Sequence, residues 1–508
     1  MLRLIIKLFA HIIAPVSDKF YQALANPQAV QKIVQKEIIQ RLVKSEYGNY
    51  LGIQSINDWE HIPIVEYEDI QKWINSGVSH KSLLTPEPII FYEKTSGSRS
   101  AAKLIPYTKS LRKSFSQMFC VWAYDLIING TDFSTGKIYF CISPKLGDSA
   151  TTHQGVNVGL EDDSEYLDGW LRWLINLFIV SPPGINRICA PLIFKDKLAQ
   201  TLLLEEDLEI ISIWNPSFLK VHLDYIQANQ QRLAEQLQNK ISTERYQLLL
   251  EDKINWSKLW SELKLISCWD SVHAKEQANY LRSLFPNVMV QGKGLLATEA
   301  PMTIPLIKAQ GCVPILNEVF FEFEHQGNIY HLHQLEKGKA YSIIISQKGG
   351  LYRYRIGDRI RVTHYYLETP CLEFLGRTET TSDLVGEKLH EDFVRDILNQ
   401  LPLEKTFFQS LVPVRIPTDN YLLLLDQANL PAEIIAQLLD RELMRSHHYQ
   451  QARLLGQLSP PQVLISEQIP EIITNYKIRQ GMKWGDIKHQ LLVTTPIDQE
   501  LLNLLNYA

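Results

Sequence analysis

The sequence predicts an α/β protein with a large N-terminal domain of mixed sheets covered by helices, a β-rich part, and a small mobile α+β C-terminal domain. Short apolar runs alternate with helical patterns between residues 109 and 291, which is typical of a largely parallel sheet covered by helices. Strand patterns dominate 320–375, and a polar break at 376–383 precedes further helices and strands. We therefore expect a large domain at 1–375, a hinge at 376–383 and a small domain at 384–508.

The composition limits the partners that we expect. The 508 residues include 51 basic and 56 acidic ones, a net charge of −5 spread along the chain, so we predict no nucleic-acid partner and a small-molecule substrate. Six cysteines lie far apart without a Cys-x-x-Cys pair, which argues against a zinc ribbon or a disulfide framework and indicates a reducing, cytoplasmic compartment. We expect a monomer or a weak dimer.

The first element is predicted to be an amphipathic helix over residues 1–14, followed by a second helical pattern over 18–44. Lys7 and His11 interrupt the first apolar run, and no small-x-small cleavage site follows, so a signal peptide is disfavoured. Since only two basic residues accompany this helix, we expect its apolar face to pack on the protein body and not on a bilayer. No later apolar run reaches the roughly 20 residues of a membrane span, so we expect no stable membrane insertion.

Next, a strand pattern ending near Tyr92 leads into small residues between Thr95 and Ala102. Such a turn leaves backbone N–H groups accessible, and its hydroxyl groups and the nearby Lys103 suit a polyphosphate. We expect it at the carboxyl end of a strand of the parallel sheet. The spacing is not that of a Walker loop. For this stretch alone, a solvated serine-rich loop is an equally weighted alternative.

The remaining elements follow in chain order from hydrophobic periodicity. In the alternating part we predict helix 109–129, strand 137–143, helix 194–204, strand 210–214, helix 217–239, strand 263–269, helix 273–285 and strand 288–291. In the β-rich part the strands are 320–323, 330–332, 340–346, 351–355, 360–362 and 372–375. The small domain contains helices 390–398 and 431–443 and strands 421–425 and 462–465.

Thr298 and Glu299 follow the strand at 288–291 and a loop with two glycines. A carboxylate at a sheet edge that binds phosphates is useful mainly as a Mg²⁺ ligand, because without the cation it would repel them. Read alone, the Thr-Glu pair is more often an ordinary helix start.

The stretch from Tyr352 to Asp358 has alternating character, which places the tyrosines on one strand face and Arg353 and Arg355 on the other. We predict that Gly357 and Asp358 form a turn that exposes a carboxylate suited to the vicinal hydroxyls of ribose. A structural hairpin with solvated arginines is an equally weighted alternative.

Near the end of the chain, Lys477 and Lys483 lie in what we predict to be a glycine-containing loop of the small domain. A lysine placed there would neutralise charge on a phosphoryl transition state. On spacing alone, a solvated lysine is the favoured interpretation.

Taken jointly, these stretches resemble the acyl-adenylate-forming superfamily and, within it, the auxin-responsive acyl-acid amido synthetases, in particular their bacterial relatives. Residues 95–103 are similar to the family's ATP loop rich in serine, threonine and glycine, 295–299 to its Tyr-x-Ser-Ser/Thr-Glu motif, and 352–358 to its Tyr-Arg-x-Gly-Asp motif. Residues 376–389 match the superfamily's hinge pattern, Gly-Arg-x-Asp-Asp followed by Gly-x-Arg-Leu.

The resemblance implies that a carboxylate attacks the α-phosphorus of ATP, with Mg²⁺ present, to give an acyl-adenylate and pyrophosphate. The small domain then rotates about Glu379, and an amino acid amine attacks the acyl carbonyl. The nucleotide-binding residues implied are Thr95, Ser96, Gly97, Ser98, Lys103, Thr298, Asp358 and Arg377. Glu299 would hold Mg²⁺ and contact the α-phosphate. The catalytic residues would be Lys103, Glu299 and Lys477, with Lys483 as the alternative to Lys477.

Three positions depart from the family pattern, and two other functions stay open. Leu295 replaces an adenine-facing tyrosine, Ala101 and Ala102 replace a glycine-containing pair, and Ile478 replaces a proline. The first alternative is a ligase that passes the acyl group to coenzyme A or a carrier-protein thiol. The second is a non-catalytic acyl-acid binding protein.

For the acid pocket we expect contributions from residues 143–173 and from the strands near residue 320. Their aromatic side chains, Trp170, Trp173, Phe320 and Phe321, would suit an aromatic or long aliphatic acid. Ordinary core packing is the alternative for most of them.

Overall fold

A computed structural model describes residues 2–75, 82–95, 103–140, 150–151, 157–158, 169–182, 184–185, 188, 190–271, 274–377, 381–403, 406, 408–480 and 490–506. Two compact units divide the chain. The first comprises Met1–Thr95 and Lys103–Thr378, and most of the second is Glu379–Ala508. Within the described ranges, no helix is both long enough and apolar enough to cross a bilayer.

The helices, in chain order, are α1 (Leu2–Leu24), α2 (Pro27–Leu42), α3 (Glu46–Leu51), α4 (Tyr67–Asn75), α5 (Lys109–Asn129), α6 (Gly169–Ile175), α7 (Pro191–Leu204), α8 (Pro216–Ala228), α9 (Gln230–Leu237), α10 (Thr243–Leu249), α11 (Trp256–Leu259), α12 (Lys275–Leu284), α13 (Glu391–Gln400), α14 (Ala432–Leu443), α15 (His447–Leu454), α16 (Ile469–Arg479) and α17 (Gln499–Asn506).

The strands are β1 (Ile89–Thr95), β2 (Lys103–Thr108), β3 (Ile138–Phe140), β4 (Ala150–Thr151), β5 (Asn157–Val158), β6 (Ile210–Ser212), β7 (Leu265–Cys268), β8 (Met289–Gly292), β9 (Leu296–Ala297), β10 (Ala300–Pro301), β11 (Thr303–Leu306), β12 (Gly311–Pro314), β13 (Val319–His325), β14 (Asn328–His331), β15 (Ala340–Gln347), β16 (Leu351–Tyr366), β17 (Thr369–Arg377), β18 (Thr381–Ser382), β19 (Leu389–His390), β20 (Gln409–Val414), β21 (Asn420–Leu425) and β22 (Gln462–Ile465).

The first helix is longer than predicted. The expected break after residue 14 is wrong, because α1 continues through Pro15 and the helical run is interrupted only before Pro27. Pro27 is the first residue of α2, a position where its missing N–H costs nothing. The inner face of α1, including Phe9 and Ile13, packs into the body of the first unit, as the sequence predicted.

The predicted parallel sheet is confirmed. Its four strands lie in the order β3, β6, β7, β8 with parallel pairing throughout. The predicted helix 109–129 coincides with α5. The single helix predicted over 217–239 is wrong, because Asn229 leaves the helical conformation and separates α8 from α9.

The small-residue turn does not follow a strand of this parallel sheet, and that expectation is wrong. The turn joins β1 to β2, which pair antiparallel in a separate sheet with the order β2, β1, β5, β4. Thr95 lies opposite Lys103 in this pairing. The reason is the short connection, because a parallel crossover needs a dozen or more residues whereas an antiparallel hairpin does not.

The β-rich part forms a five-stranded antiparallel sheet in the order β14, β13, β15, β16, β17, as predicted. Two arginines of β16 form ion pairs across β15 with two glutamates of β13. Arg353 of β16 binds Glu322 of β13 through two close contacts. Two residues further along each strand, Arg355 binds Glu324. The alternative that both arginines are solvated is therefore wrong for Arg353, which is buried with its partner.

The second unit contains the three-stranded sheet β20, β21, β22 and the helices α13 to α17. Strand 462–465 has the predicted bounds. Helix 431–443 and strand 421–425 differ by one residue at the start, and helix 390–398 differs by one residue at the start and two at the end. Leu423 and Leu425 of β21 pack with Leu439 and Leu443 of α14 in the core of this unit.

One buried carboxylate fixes the start of the parallel sheet. Glu209 accepts hydrogen bonds from the backbone N–H groups of Ser134, Thr135 and Gly136 and pairs with the Lys264 ammonium. Burial alone would raise the pKa of Glu209, but the ammonium and the three N–H groups hold its pKa below the ordinary value. The loop that leads into β3 is thereby tied to the neighbouring strands β6 and β7.

We predict that Glu209→Gln lowers the free energy of unfolding of the first unit by about 3 kcal/mol, because it leaves the Lys264 charge without its buried partner. Because the folded-state pKa is lowered, this stabilisation is present above the ordinary carboxyl pKa and is lost as the pH falls through the lowered value. Urea unfolding monitored by tryptophan fluorescence measures both effects.

The control is Glu205→Gln, which removes a partly exposed partner of Lys137 and should cost less than about 1 kcal/mol. Equal losses in the two variants would contradict the role assigned to Glu209.

Candidate functional site

The turn that carries Thr298 and Glu299 is held by a buried tyrosine of β2. Strands β9 and β10 pair at Ala297 and Ala300, so Thr298 and Glu299 are the two residues of a tight hairpin turn. The alternative that they start a helix is therefore wrong. The hydroxyl of Tyr107 donates a hydrogen bond of 2.7 Å to the carbonyl oxygen of Thr298.

Tyr107 has little freedom to move. Its ring is fully buried and stacks between Phe91 and Phe115, with ring centroids 4.6 and 5.9 Å away. The hydrogen bond therefore fixes the Thr298 turn against the strand that follows the small-residue loop, and two sequence motifs about 200 residues apart meet at one point.

Lys103 lies on the same strand face as Tyr107, since residues two and four apart in a strand share a face. Its ammonium is 5.5 Å from the centroid of the Tyr67 ring. The hydroxyl of Tyr67 accepts a hydrogen bond of 2.8 Å from the backbone N–H of Leu104. A cation and a carboxylate, Lys103 and Glu299, thus belong to two segments that Tyr107 joins.

The backbone before the turn is closely packed. Gly294 has φ +69°, and a Cβ at this position would lie 2.4 Å from the Oγ1 of Thr303, so only glycine fits. Thr303 also binds Leu295 twice: its Oγ1 accepts from the Leu295 N–H at 2.7 Å, and its N–H donates to the Leu295 carbonyl at 3.0 Å. The Leu295 side chain packs in the main core, so the residue that we expected in place of an adenine-facing tyrosine is a core leucine.

Asp358 is not in an exposed turn, and that prediction is wrong. It lies inside the long strand β16 and is buried. The strand continues because Ile356 and Ile360 on either side are core residues. Its pairing with β15 has a bulge here, and Gly357 adopts a positive φ of +84° at that bulge. The backbone of Asp358 pairs with that of Arg377 on β17, so two of the residues predicted to bind nucleotide are neighbours.

Most of the remaining predicted site residues cannot be placed, and Thr95 is placed only by its backbone. Ser96, Gly97, Ser98, Glu379 and Lys483 lie outside the described residues. The backbone of Thr95 ends β1.

Lys477 belongs to the second unit and lies in the last turn of α16. The predicted loop is therefore wrong at this position. Ile469 and Ile473 recur at helical spacing and bury one face of α16 in a core cluster of the second unit.

The acid pocket predicted from residues 143–173 and the strands near residue 320 stays a prediction, because 143–149, 152–156 and 159–168 lie outside the described residues. Trp170 and Trp173 are exposed on α6, and Phe320 and Phe321 pack in the core against Trp59 and Phe323. The sequence could not separate these cases, because core strands and pockets both use aromatic residues.

A different aromatic pair lies at the carboxyl edge of the parallel sheet and was missed. Trp214 follows β6 and Trp269 follows β7, with ring centroids 6.0 Å apart. The Lys293 ammonium is 5.3 Å from the Trp214 ring and donates to the Ser212 hydroxyl at 2.7 Å. Both tryptophans are the last residues of the predicted strands 210–214 and 263–269, at the edge where parallel sheets bind ligands, so the signal was in the sequence.

Glu299 is compatible with Mg²⁺ only as one ligand among several. Within the described part of the chain, no group of three or more histidine, cysteine, aspartate or glutamate residues could hold a metal ion. Mg²⁺ is commonly bound by one or two carboxylates together with substrate phosphates. The described residues therefore fit an ion that arrives with a polyphosphate, and none of their clusters forms a separate metal centre.

Comparison with known proteins places the chain in a family. The model for the GH3 family N-terminal domain matches residues 16–290, that for the central domain matches 312–377, and that for the C-terminal domain matches 391–497. The chain belongs to the GH3 family. The predicted resemblance to the auxin-responsive amido synthetases is confirmed, because indole-3-acetic acid-amido synthetases are among the relatives of this GH3 chain.

Two of these relatives are from Arabidopsis thaliana. Indole-3-acetic acid-amido synthetase GH3.4 is 23% identical over 432 residues, which cover 73% of this chain and 71% of the relative. Indole-3-acetic acid-amido synthetase GH3.3 is 22% identical over 554 residues, which cover 94% of this chain and 91% of the relative.

Solved structures confirm the adenylate-forming fold. The AtGH3.15 acyl acid amido synthetase in complex with 2,4-DB has a TM-score of 0.65 at 18% identity, covering 97% of this chain and 96% of that one. A 2-hydroxyisobutyryl-CoA ligase in complex with 2-HIB-AMP and CoA has a TM-score of 0.52 at 14% identity, and the match covers 96% of this chain and 91% of that one.

We predict that Tyr107→Phe weakens the turn of this GH3 chain. Loss of the hydrogen bond to Thr298 should lower the unfolding free energy by about 1 kcal/mol and speed amide hydrogen exchange in the β9–β10 hairpin. Hydrogen exchange followed by mass spectrometry measures the second effect.

Tyr352→Phe is the matched control, because the buried Tyr352 hydroxyl donates a similar bond of 2.8 Å to the Leu84 carbonyl. It should cost similar stability without changing exchange in that hairpin. If the hairpin exchanged at the wild-type rate in Tyr107→Phe, the assigned role of Tyr107 would be wrong.

Proposed function

We propose that this chain is an ATP-dependent acid-amido synthetase, which activates a carboxylic acid as an acyl-adenylate and transfers the acyl group to the amine of an amino acid. The observation that carries the proposal is the Tyr107–Thr298 hydrogen bond, because it joins the segments of Lys103 and Glu299 in a chain that three GH3 family models match. The compartment that we propose is the cytoplasm.

In the first step, a carboxylate oxygen of the acid attacks the α-phosphorus of ATP, and pyrophosphate leaves. The Lys103 ammonium neutralises phosphate charge, and the backbone of the small-residue loop at Ser96, Gly97 and Ser98 donates to phosphate oxygens. Asp358 accepts hydrogen bonds from the ribose hydroxyls. Glu299 is the residue that would hold Mg²⁺, which when bound offsets the negative charge of the phosphates.

In the second step, the amino acid nitrogen attacks the acyl carbonyl, the bond to AMP breaks, and the amine loses a proton.

We retain Lys477 of the second unit as the lysine that stabilises the first transition state. Lys477→Ala should reduce the rate of adenylate formation and leave the affinity for ATP nearly unchanged. An unaltered rate would exclude Lys477 from this role.

For the acid, we propose the surface formed by Trp214 and Trp269, since two half-buried aromatic faces beside the Lys293 cation suit an organic anion with an apolar body. Trp214→Ala should raise the KM for the acid about tenfold and leave the KM for ATP unchanged. Steady-state kinetics with each substrate varied in turn measures this, and a change confined to the KM for ATP would contradict the assignment.

The adenylation step is tested by ATP–pyrophosphate exchange with a panel of carboxylic acids. Glu299→Ala and Lys103→Ala should each reduce exchange at least about 100-fold, because each removes a charge that acts on the phosphates. Exchange at the wild-type rate in either variant would show that the residue is outside the site, and no exchange with any acid would favour a binding protein.

Two control variants separate chemistry from folding. Glu318→Ala removes a carboxylate that is 5% exposed, close to the 6% of Glu299, and that contacts Ser114 and Lys348. Lys109→Ala removes an exposed ammonium six residues after Lys103. Both should keep exchange activity within about threefold of wild type.

The acceptor decides between the amide and thioester functions. The structural similarity to a CoA ligase favours the thioester as the second candidate. Mass spectrometry of products formed from ATP, Mg²⁺, mixed acids and either mixed amino acids or coenzyme A should detect amides. If the acyl-adenylate reacted with coenzyme A and with no amino acid, the chain would be a thioester-forming ligase and not an amido synthetase.

A further inference from the structure

Four side chains form a row across one face of the parallel sheet, near its carboxyl edge. Residues paired side by side in a parallel sheet point to the same face, and the pairing runs from Phe140 through Ser212 and Ser267 to Gln291. The outer strands β3 and β8 thus contribute large side chains to this row. The central strands β6 and β7 contribute serines, both of them buried.

Helix α5 contacts the two ends of this row. The ring centroids of Phe119 and Phe140 are 6.1 Å apart, and the indole N–H of Trp122 donates to the side-chain oxygen of Gln291 at 2.9 Å. Phe119 and Trp122 also contact each other, with centroids 5.6 Å apart. All four of these side chains are only partly buried. Because the serines between the two contacts are small, a cleft lies between α5 and the central strands.

The cleft opens towards the surface proposed for the acid. Trp214, Trp269 and Lys293 each stand two residues after a member of the row, so they share its face. The Lys293 ammonium reaches back to the hydroxyl of Ser212, to which it donates at 2.7 Å. Since Lys293 follows β8 and Ser212 belongs to β6, this side chain crosses the face of β7 on the inner side of the tryptophan pair.

The polar groups of the cleft are hydrogen-bond donors. An indole N–H can only donate, so the Gln291 atom that faces Trp122 is the amide oxygen, and the NH2 group is the donor end of that amide. An ammonium also only donates. The Ser212 hydroxyl accepts from Lys293, and its own O–H is a further donor. A ligand group that meets these donors has to be an acceptor, because a ring N–H would leave them without a bond.

The reacting carboxylate of the acid has a different place. In the proposed function, on which this inference rests, it lies beside Glu299 and Lys103, and the acyl body extends towards Trp214. We propose that the acid is aromatic and carries a second oxygen group, remote from the reacting carboxylate, to which Gln291 and Lys293 donate. The rings around the cleft enclose the apolar part of the acid between its two oxygen-bearing ends.

Calorimetric titration of the full chain with matched acids tests this preference, with α,β-methylene ATP present so that no adenylate forms. The probes are phenylacetic and phenylpropanoic acid, each unsubstituted, with a para-hydroxyl group and with a para-carboxyl group. Indole-3-acetic acid presents a ring N–H instead. An oxygen-bearing acid of at least one length should bind about tenfold more tightly than its unsubstituted parent, and indole-3-acetic acid should show no such gain. A gain from the para-carboxyl group alone would identify a dicarboxylic acid, and one from the para-hydroxyl group a neutral oxygen.

Two variants test the donors. Gln291→Met keeps the length of the side chain and removes the amide, so it should lose most of the preference for the oxygen-bearing acid and bind the unsubstituted acid within about threefold of wild type. Trp122→Phe removes the N–H that orients the amide, so the preference for an oxygen over a ring N–H should narrow. The matched control is Gln200→Met on α7, whose amide binds Asp196 at 2.8 Å; it should keep the full preference. Circular dichroism of every variant checks the fold.

ATP–pyrophosphate exchange with the same acids separates this inference from the proposed function. Exchange together with equal affinities for substituted and unsubstituted acids would overturn the inference and leave the function standing. The expected preference in binding without any exchange would support the assigned cleft and contradict the adenylation. A preference that Gln291→Met leaves unchanged, or no binding by any acid of the panel, would overturn the inference.

Discussion

The candidate site depends first on the hydroxyl of Tyr107. The ring of this residue is fixed by stacking in the core, and its hydroxyl projects beyond the core to the carbonyl oxygen of Thr298. A hydrogen bond from a rigid donor restricts its acceptor more than one from a flexible surface group, because no rotamer entropy remains to be lost. The turn with Glu299 therefore has its place set by β2, the strand that begins with Lys103.

A second set of contacts extends this constraint to β16. Arg353 is held by Glu322 across β15, and its backbone carbonyl accepts from Val65. Two residues later, Tyr67 accepts from the Leu104 N–H of β2. The segment at 65–67 thus connects the strand of Asp358 with that of Lys103. In this way the strands that carry Lys103 and Asp358 and the turn that carries Glu299, which lie far apart in the sequence, are held within one unit by buried, directional contacts.

The sequence predicted the type of nearly every long element, because helices such as α5 and strands such as β21 have clear periods of 3.6 and 2 residues. It was less informative where tertiary pairing decided the outcome. Glycine and aspartate at 357–358 are typical turn residues, yet the flanking isoleucines are buried and keep β16 continuous. The hairpin position of Glu299 depends on the pairing of Ala297 with Ala300, which residue propensities do not encode.

The pocket was the least predictable part of the site. Phe320 and Trp170 differ in exposure because one lies in a central strand and the other on the outer side of α6, which single-residue chemistry does not reveal. Trp214 and Trp269 become neighbours only because β6 and β7 pair in parallel. Residues brought together by sheet order can be recognised from the sequence only after that order is known.

The central claim is that Lys103, Glu299 and Asp358 act on one nucleotide. A crystal structure of the protein with a non-hydrolysable acyl-sulfamoyl adenosine analogue tests it most directly. We predict that the ribose hydroxyls bind Asp358, that the sulfamoyl group lies beside Glu299 and Lys103, and that the acyl part extends towards Trp214. An analogue bound elsewhere, with none of the three charged residues in contact, would contradict the account.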